Sequence, residues 1–145
     1  MKSANILLVE DNADEAALAL RALKKNNIEN KVFVVRDGAE ALDFLFCANT
    51  YAGRDPRDMP RLTLLDLNLP KLDGLEVLRR LRADERTHLL PIVILSSSNE
   101  EEQLVEAYKC GANSYVRKSI DFSEFIESIS QLGAYWLVLN EVPSN

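Results

Sequence analysis

The sequence predicts a doubly wound α/β fold, with five parallel strands in one sheet and five helices shared between its two faces. Three observations predict it. Five short strand-like runs recur, most of them continuous Val, Ile and Leu. Strands covered on both faces read this way, whereas strands with one wet face alternate. Helix-like segments separate the runs, so strand and helix alternate along the chain, and right-handed crossovers then place helices on both faces. Finally, each helical segment begins with a capping residue followed three positions later by Glu, the spacing that satisfies free backbone donors at a helix start.

The strands are expected at residues 5–9, 31–35, 62–65, 92–95 and 114–116, and the helices at 13–26, 38–48, 74–83, 99–110 and 122–139. The capping pairs are Asn12 with Glu15, Asp37 with Glu40, Asp73 with Glu76, Ser98 with Glu101 and Asp121 with Glu124. Gly111 is placed to end the fourth helix in a left-handed turn. Residues 49–61, with Gly53, Pro56 and Pro60, read as a surface loop to which no chemistry attaches. Neither a repeat nor a linker interrupts the pattern, so residues 1–145 form one domain. The last helix carries a core stripe at Phe122, Phe125, Ile126, Ile129 and Leu132. Residues 133–145 are then a C-terminal extension of the domain, and the run at 134–139 is apolar on every side. Such a run either folds back over its own domain or forms a contact surface, since large apolar patches mark contacts. The second is favoured, with Tyr135, Trp136 and Leu139 at a dimer interface.

Composition narrows the possible partners. Seventeen basic and twenty-three acidic side chains give a net charge of −6, which opposes binding to nucleic acid and to anionic membranes. The first apolar run is too short for a signal peptide or a membrane span, so a cytoplasmic protein is expected. Cys47 and Cys110 lack metal-like spacing and read as small apolar residues of helical stretches in a reducing compartment.

In open parallel sheets, ligands bind beyond the carboxyl ends of the strands, near the point where strand order reverses. At that edge the first strand ends in Glu10 and Asp11, the third in Asp66 followed by Leu67 and Asn68, the fourth in Ser96, Ser97 and Ser98, and the fifth runs into Lys118. Singly, Asp11 could be part of a helix cap, Ser96 a strand-end hydroxyl and Lys118 a solvated lysine. Asp66 is harder to dismiss, because a carboxylate directly after Leu62 to Leu65 is costly unless satisfied. Jointly they make an acidic pocket with one hydroxyl and one ammonium. Carboxylates about 5 Å apart repel by about 3 kcal/mol at an effective dielectric near 20, so three together need a cation or protons. The hard oxygen set suits Mg²⁺. Asp66 can then act as a nucleophile in phosphoryl transfer, with Ser96 and Lys118 on the phosphoryl oxygens.

The segments ILLVEDN (6–12), LLDLNLPKLDG (64–74), PIVILS (91–96) and GANSYVRK (111–118) resemble response-regulator receiver domains, over about residues 6–131. The resemblance implies the flavodoxin-like strand order 2-1-3-4-5 and a phosphoacceptor at Asp66. It implies Mg²⁺ held by Glu10, Asp11, Asp66 and the backbone carbonyl of Asn68. It makes Ser96 the switch hydroxyl, Tyr115 the aromatic that moves with it, and Lys118 the phosphoryl-binding cation. Ser97 is small, leaving Asp66 open to a donor, and Gly74 stands where the loop after Asp73 becomes the third helix. One position departs from the family: Ser119 follows Lys118 where a cis proline is usual. A cis bond before a non-proline residue costs ~2.5–4 kcal/mol, which leaves the isomer of the 118–119 bond open.

The loop before the third strand, the Lys118-Ser119 junction and the tail are similar to stand-alone receivers that partner cyanobacterial and bacterial phytochromes. That resemblance implies a sensor histidine kinase as donor, a phytochrome in particular. It also implies a symmetric homodimer through the fourth helix, fifth strand and fifth helix. A chemotaxis-type receiver or a phosphorelay intermediate is the alternative. No output domain follows, so output is expected through a protein partner, and the chemistry stays self-directed rather than enzymatic. A flavin-binding module of the same architecture would need a phosphate cradle where Glu10 and Asp11 stand. An aspartyl-nucleophile phosphatase would need an acid–base carboxylate where Asn68 stands. A degenerate receiver serving only as a scaffold would lack site residues that this chain has.

Overall fold

The computed structural model describes residues 6–24, 32–118, 121–136 and 141. The elements are β1 (Ile6–Val9), α1 (Ala13–Lys24), β2 (Val32–Val35), α2 (Gly38–Leu45), β3 (Leu62–Asp66), α3 (Gly74–Ala83), β4 (Ile92–Ser96), α4 (Glu101–Lys109), β5 (Ser114–Arg117) and α5 (Phe122–Ala134), with a short 3₁₀ turn at Asn49–Tyr51. The five strands pair in parallel in the order β2-β1-β3-β4-β5, as expected.

Side-chain alternation along the strands divides the core in two. Leu7, Val9, Leu65, Ile92 and Ile94 face α2, α3 and α4, where they meet Leu45, Leu78, Leu81 and Ala107. Ile6, Leu8, Leu62, Leu64, Val93 and Leu95 face α1 and α5, where they meet Ala19, Leu23, Phe125 and Ile129. Every residue of β1, β3 and β4 is buried, which is why these strands read as mostly apolar runs. No described helix is long and apolar enough to cross a membrane.

Four of the five expected caps form. Asn12 Oδ1 accepts from Glu15 N at 3.0 Å, Asp37 Oδ1 from Glu40 N at 2.7 Å, Asp73 Oδ1 from Glu76 N at 3.0 Å, and Asp121 Oδ1 from Ser123 N and Glu124 N at 2.9 and 3.4 Å. The return bond is diverted at three of them. Asn12 N donates to Glu10 Oε2 while Glu15 pairs with Lys118. Glu40 accepts from Arg36 N instead, and Glu76 pairs with Arg79 and Arg80. The fourth cap differs. α4 starts at Glu101 behind Glu100, which caps with no side-chain bond. Ser98 is held back in the loop: its N–H donates to Ser96 Oγ and its own Oγ accepts from Glu100 N, each at 3.1 Å. The loop therefore consumes two residues that sequence spacing gives to the helix.

The second helix also ends early. Cys47 takes φ +53° and occupies the left-handed position after the helix, with Cys47 N bonded to Phe44 O and Ala48 N to Asp43 O. Cys47 is thus a turn residue and Cys110 the C-cap of α4, each half-buried and free, rather than interior helical positions. Gly111 does end α4 in a left-handed turn, at φ +105°, with Gly111 N on Tyr108 O and Ala112 N on Ala107 O. In the long loop, Arg54 lies over the Phe44 ring at 3.9 Å and donates to Phe44 O and Asp58 O; the irregular stretch is pinned to α2.

In α5, Phe125 and Ile129 are buried, and Ile126 and Leu132 pack partly against the same cluster. The helical path continues through Tyr135 and Trp136 in a wider turn. Trp136 packs partly on the core while Tyr135 stays 49% exposed, their rings meeting edge-on at 5.2 Å. Leu139, the ends expected for the first strand, first helix and last helix, the start of the second strand, the Phe122 side chain and the 118–119 bond lie outside the described residues.

Candidate functional site

The sheet order decides the location of the site. From β1 the chain crosses one way to β2 and returns on the other side to β3, so the carboxyl ends of β1 and β3 open beside each other with a crevice between their loops. Register does the rest. Val9 pairs with Leu65, so Glu10 and Asp66 leave the sheet at the same level. Asp66 pairs with Leu95, and Ser96 pairs with Arg117. Lys118, the next residue, is tied to the β4 end by its N–H on Ser96 O at 2.7 Å.

Carboxylate oxygens of Glu10, Asp11 and Asp66 all lie within 4.8 Å of one another. Glu10 and Asp66 are 3% and 4% exposed, and Asp11 is exposed at the mouth. Lys118 Nζ lies 2.7 Å from Glu10 Oε1, 2.7 Å from Asp66 Oδ2 and 3.2 Å from Glu15 Oε1. Asp66 Oδ1 accepts from Asn68 N at 3.0 Å, and Glu10 Oε2 from Asn12 N at 3.3 Å.

Burial pushes the Glu10 carboxyl up to about 7, aided by the neighbouring Asp66 and opposed by the Lys118 bond. Burial opposes the Lys118 charge, but its bonds to Asp66 and Glu10 outweigh that and hold it above the ordinary lysine value. The pocket thus holds more negative charge than its one ammonium satisfies, and the open side at Asp11 faces solvent. Converging oxygens, surplus negative charge and access are what a hard divalent cation requires, so the residues present fit one.

The close approach of α3 fixes Asp66 from behind. A Cβ on Gly74 would stand 2.4 Å from Asp66 O and 2.7 Å from Leu67 Cα, so only glycine lets the start of α3 seat there, with Gly74 N donating to Leu67 O at 3.0 Å.

Ser96 is fully buried. Its Oγ donates to Gln103 Oε1 at 3.0 Å, and the Tyr115 hydroxyl donates to the same oxygen at 3.4 Å. Asn68 follows β3 in an exposed turn. Tyr135 and Trp136 lie away from this pocket, lining a shallow groove with Val116 and Leu132.

Two residues at the site escaped sequence reading. Glu15 was legible only as the partner of Asn12, and nothing in its spacing announces a bond to a lysine more than a hundred positions on. Gln103 has no local signal, because its partners sit on two different strands.

Residues 6–130 match the model of the response regulator receiver domain. The chain is 38% identical over 138 residues to the probable methanogenesis regulatory protein FilR2 of Methanothrix harundinacea, covering 95% of this chain and 86% of that protein. It is 34% identical over 139 residues to response regulator Rcp1 of Synechocystis, covering 96% and 92%. The Mn²⁺-bound structure of Rcp1 superposes with a TM-score of 0.89, covering 97% of this chain and 99% of that one at 32% identity. The structure of the phosphorylated cyanobacterial phytochrome response regulator RcpA superposes with a TM-score of 0.91, covering 98% and 99% at 36% identity.

Proposed function

Because this chain belongs to the response regulator receiver domain family, we propose that it accepts a phosphoryl group on Asp66 from a sensor histidine kinase and alters its surface as a result. The observation that carries this is the placement of a buried Asp66 within 4.8 Å of two further carboxylates, with the Lys118 ammonium 2.7 Å from its Oδ2.

In the transfer, an Asp66 carboxylate oxygen attacks phosphorus as the P–N bond to the donor imidazole breaks, and the imidazole leaves with the bonding pair. Glu10, Asp11, Asp66 and the carbonyl of Asn68 would hold Mg²⁺, which when bound offsets the negative charge that otherwise repels an incoming phosphoryl group. Lys118 exchanges a carboxylate partner for a phosphoryl oxygen, and Ser96 donates to another. The new group carries about −1.5 to −2 charge where one carboxylate stood. Tyr115 follows Ser96, biasing the face of α4, β5 and α5 between two arrangements. Loss of the group to water resets the domain, so the chemistry is self-directed rather than metabolic.

Likeness to Rcp1 and to a phytochrome response regulator supports a phytochrome as the kinase. The surplus of acidic side chains supports a protein partner rather than nucleic acid. We place the protein in the cytoplasm as one receiver domain, residues 1–145, whose extension from residue 133 contributes Tyr135, Trp136 and Leu139 to a homodimer.

The test is a mobility-shift gel after incubation with acetyl phosphate and Mg²⁺. Wild type is expected to shift and Asp66→Asn is not; incorporation that survives the substitution removes the assignment.

A further inference from the structure

A serine hydroxyl has one proton to donate. In this structure the Ser96 proton is committed to Gln103 Oε1, at 3.0 Å, while Ser96 Oγ also accepts from Ser98 N at 3.1 Å. Gln103 sits half-buried in the first turn of α4, and the same amide oxygen receives the Tyr115 hydroxyl at 3.4 Å. One acceptor on α4 thus holds the last side chain of β4 and the second of β5.

We infer that Gln103 is a positioning residue of the phosphoryl site, an acceptor that competes with a phosphoryl oxygen for the single Ser96 proton and couples the outcome to Tyr115. This rests on Asp66 being the phosphoryl acceptor. A phosphoryl oxygen on Asp66 can take the Ser96 proton only if Gln103 gives it up. No covalent bond changes. As Ser96 turns to the phosphoryl oxygen and Tyr115 follows it, the glutamine oxygen loses both hydroxyls and α4 is released from β4 and β5 together. The strength of the Gln103 acceptor therefore sets how readily the domain switches. A neutral thioether accepts only weakly, and a carboxylate accepts about twice as strongly as an amide, so two substitutions of similar length push the balance in opposite directions.

The experiment uses the full chain, Mg²⁺ and beryllium fluoride as a phosphoryl mimic, with affinity read by calorimetry. Gln103→Met is expected to bind at least threefold more tightly than wild type, and Gln103→Glu at least threefold more weakly. A second readout separates positioning from general damage: in protein labelled with 3-fluorotyrosine, with the Tyr115 signal assigned by Tyr115→Phe, unliganded Gln103→Met should show that signal moved toward its position in liganded wild type. Affinities within twofold of wild type, or both variants displaced in the same direction, overturn the inference. Gln103→Glu carries the test alone if Gln103→Met does not fold. Wild type that fails to bind beryllium fluoride counts instead against the Asp66 assignment, so the two failures are distinguishable.

Discussion

At Lys118, one ammonium lies between two buried carboxylates and touches a third at the rim. Replacing it with Met leaves Glu10 and Asp66 facing each other without a counter-charge. Removing one member of a buried ion pair costs about 3–5 kcal/mol. Urea denaturation of Lys118→Met at pH 8 without divalent ions is expected to show a loss of that order, partly recovered on adding Mg²⁺; an unchanged midpoint would contradict the burial of Glu10 and Asp66. Glu10 adds a pH dependence. Its folded-state value of about 7 lies above the ordinary carboxyl value of 4.5, so the folded protein binds more protons between these values. Its contribution to metal-free stability is fully present below 4.5 and is lost as pH rises through about 7. Divalent cations compete with that proton, so Mg²⁺ affinity should climb from pH 6 to pH 8 and then level, as read by calorimetry. A flat profile would show that Glu10 is already ionised at pH 6. Glu10, Asp11, Asp66, Ser96 and Lys118 could all be nominated from sequence, since each follows a strand at the edge where ligands bind. Gln103 and Glu15 could not, because a helix residue that reaches across to another element leaves no spacing to find.

Helices and turns meet the site through backbone contacts that only particular residues permit. Gly74→Ala places a Cβ 2.4 Å from Asp66 O, and α3 must retreat. Overpacking of this kind costs about 1–3 kcal/mol, and acetyl phosphate incorporation should fall at temperatures where the variant is still fully folded. Normal incorporation by folded Gly74→Ala would mean that α3 does not set the Asp66 position. At the opposite edge of the sheet, Arg82 gathers four acceptors: Gly111 O, His88 O, Leu90 O and Asn113 Oδ1, all between 2.8 and 2.9 Å. Asn113 Oδ1 also accepts from Ile92 N at 2.8 Å. The guanidinium therefore ties the end of α3 to the entries of β4 and β5. Arg82→Met is expected to lower stability by about 2–3 kcal/mol in urea, the scale of bonds to a charged donor, with phosphorylation retained once the protein is folded. The four formed caps were readable from residue spacing. The failed one at Ser98 was not, because Ser96 holds the loop from outside the local window.

For the molecule as a whole, the outer face of α4, β5 and α5 carries exposed apolar side chains. Val105, Tyr108 and Tyr135 are exposed there, at 42%, 50% and 49%, and Trp136 is only partly covered by its own core. A dimer through this face would bury them, and sedimentation should give wild type the larger mass beside Trp136→Glu. Equal masses for the two would count against such a dimer.

The amino-acid order alone determined the fold class, because strands buried on both faces are mostly apolar along their length and helix starts must satisfy their own donors. It determined which polar residues stand at strand ends, since an apolar run has to stop somewhere. It could not determine that the ends of β1 and β3 adjoin, that Lys118 neutralises Glu10 and Asp66 together, or that one glutamine holds Ser96 and Tyr115. Those facts depend on strand order, register and crossover, which join residues up to 108 positions apart, and no periodicity within a single segment encodes a contact between segments.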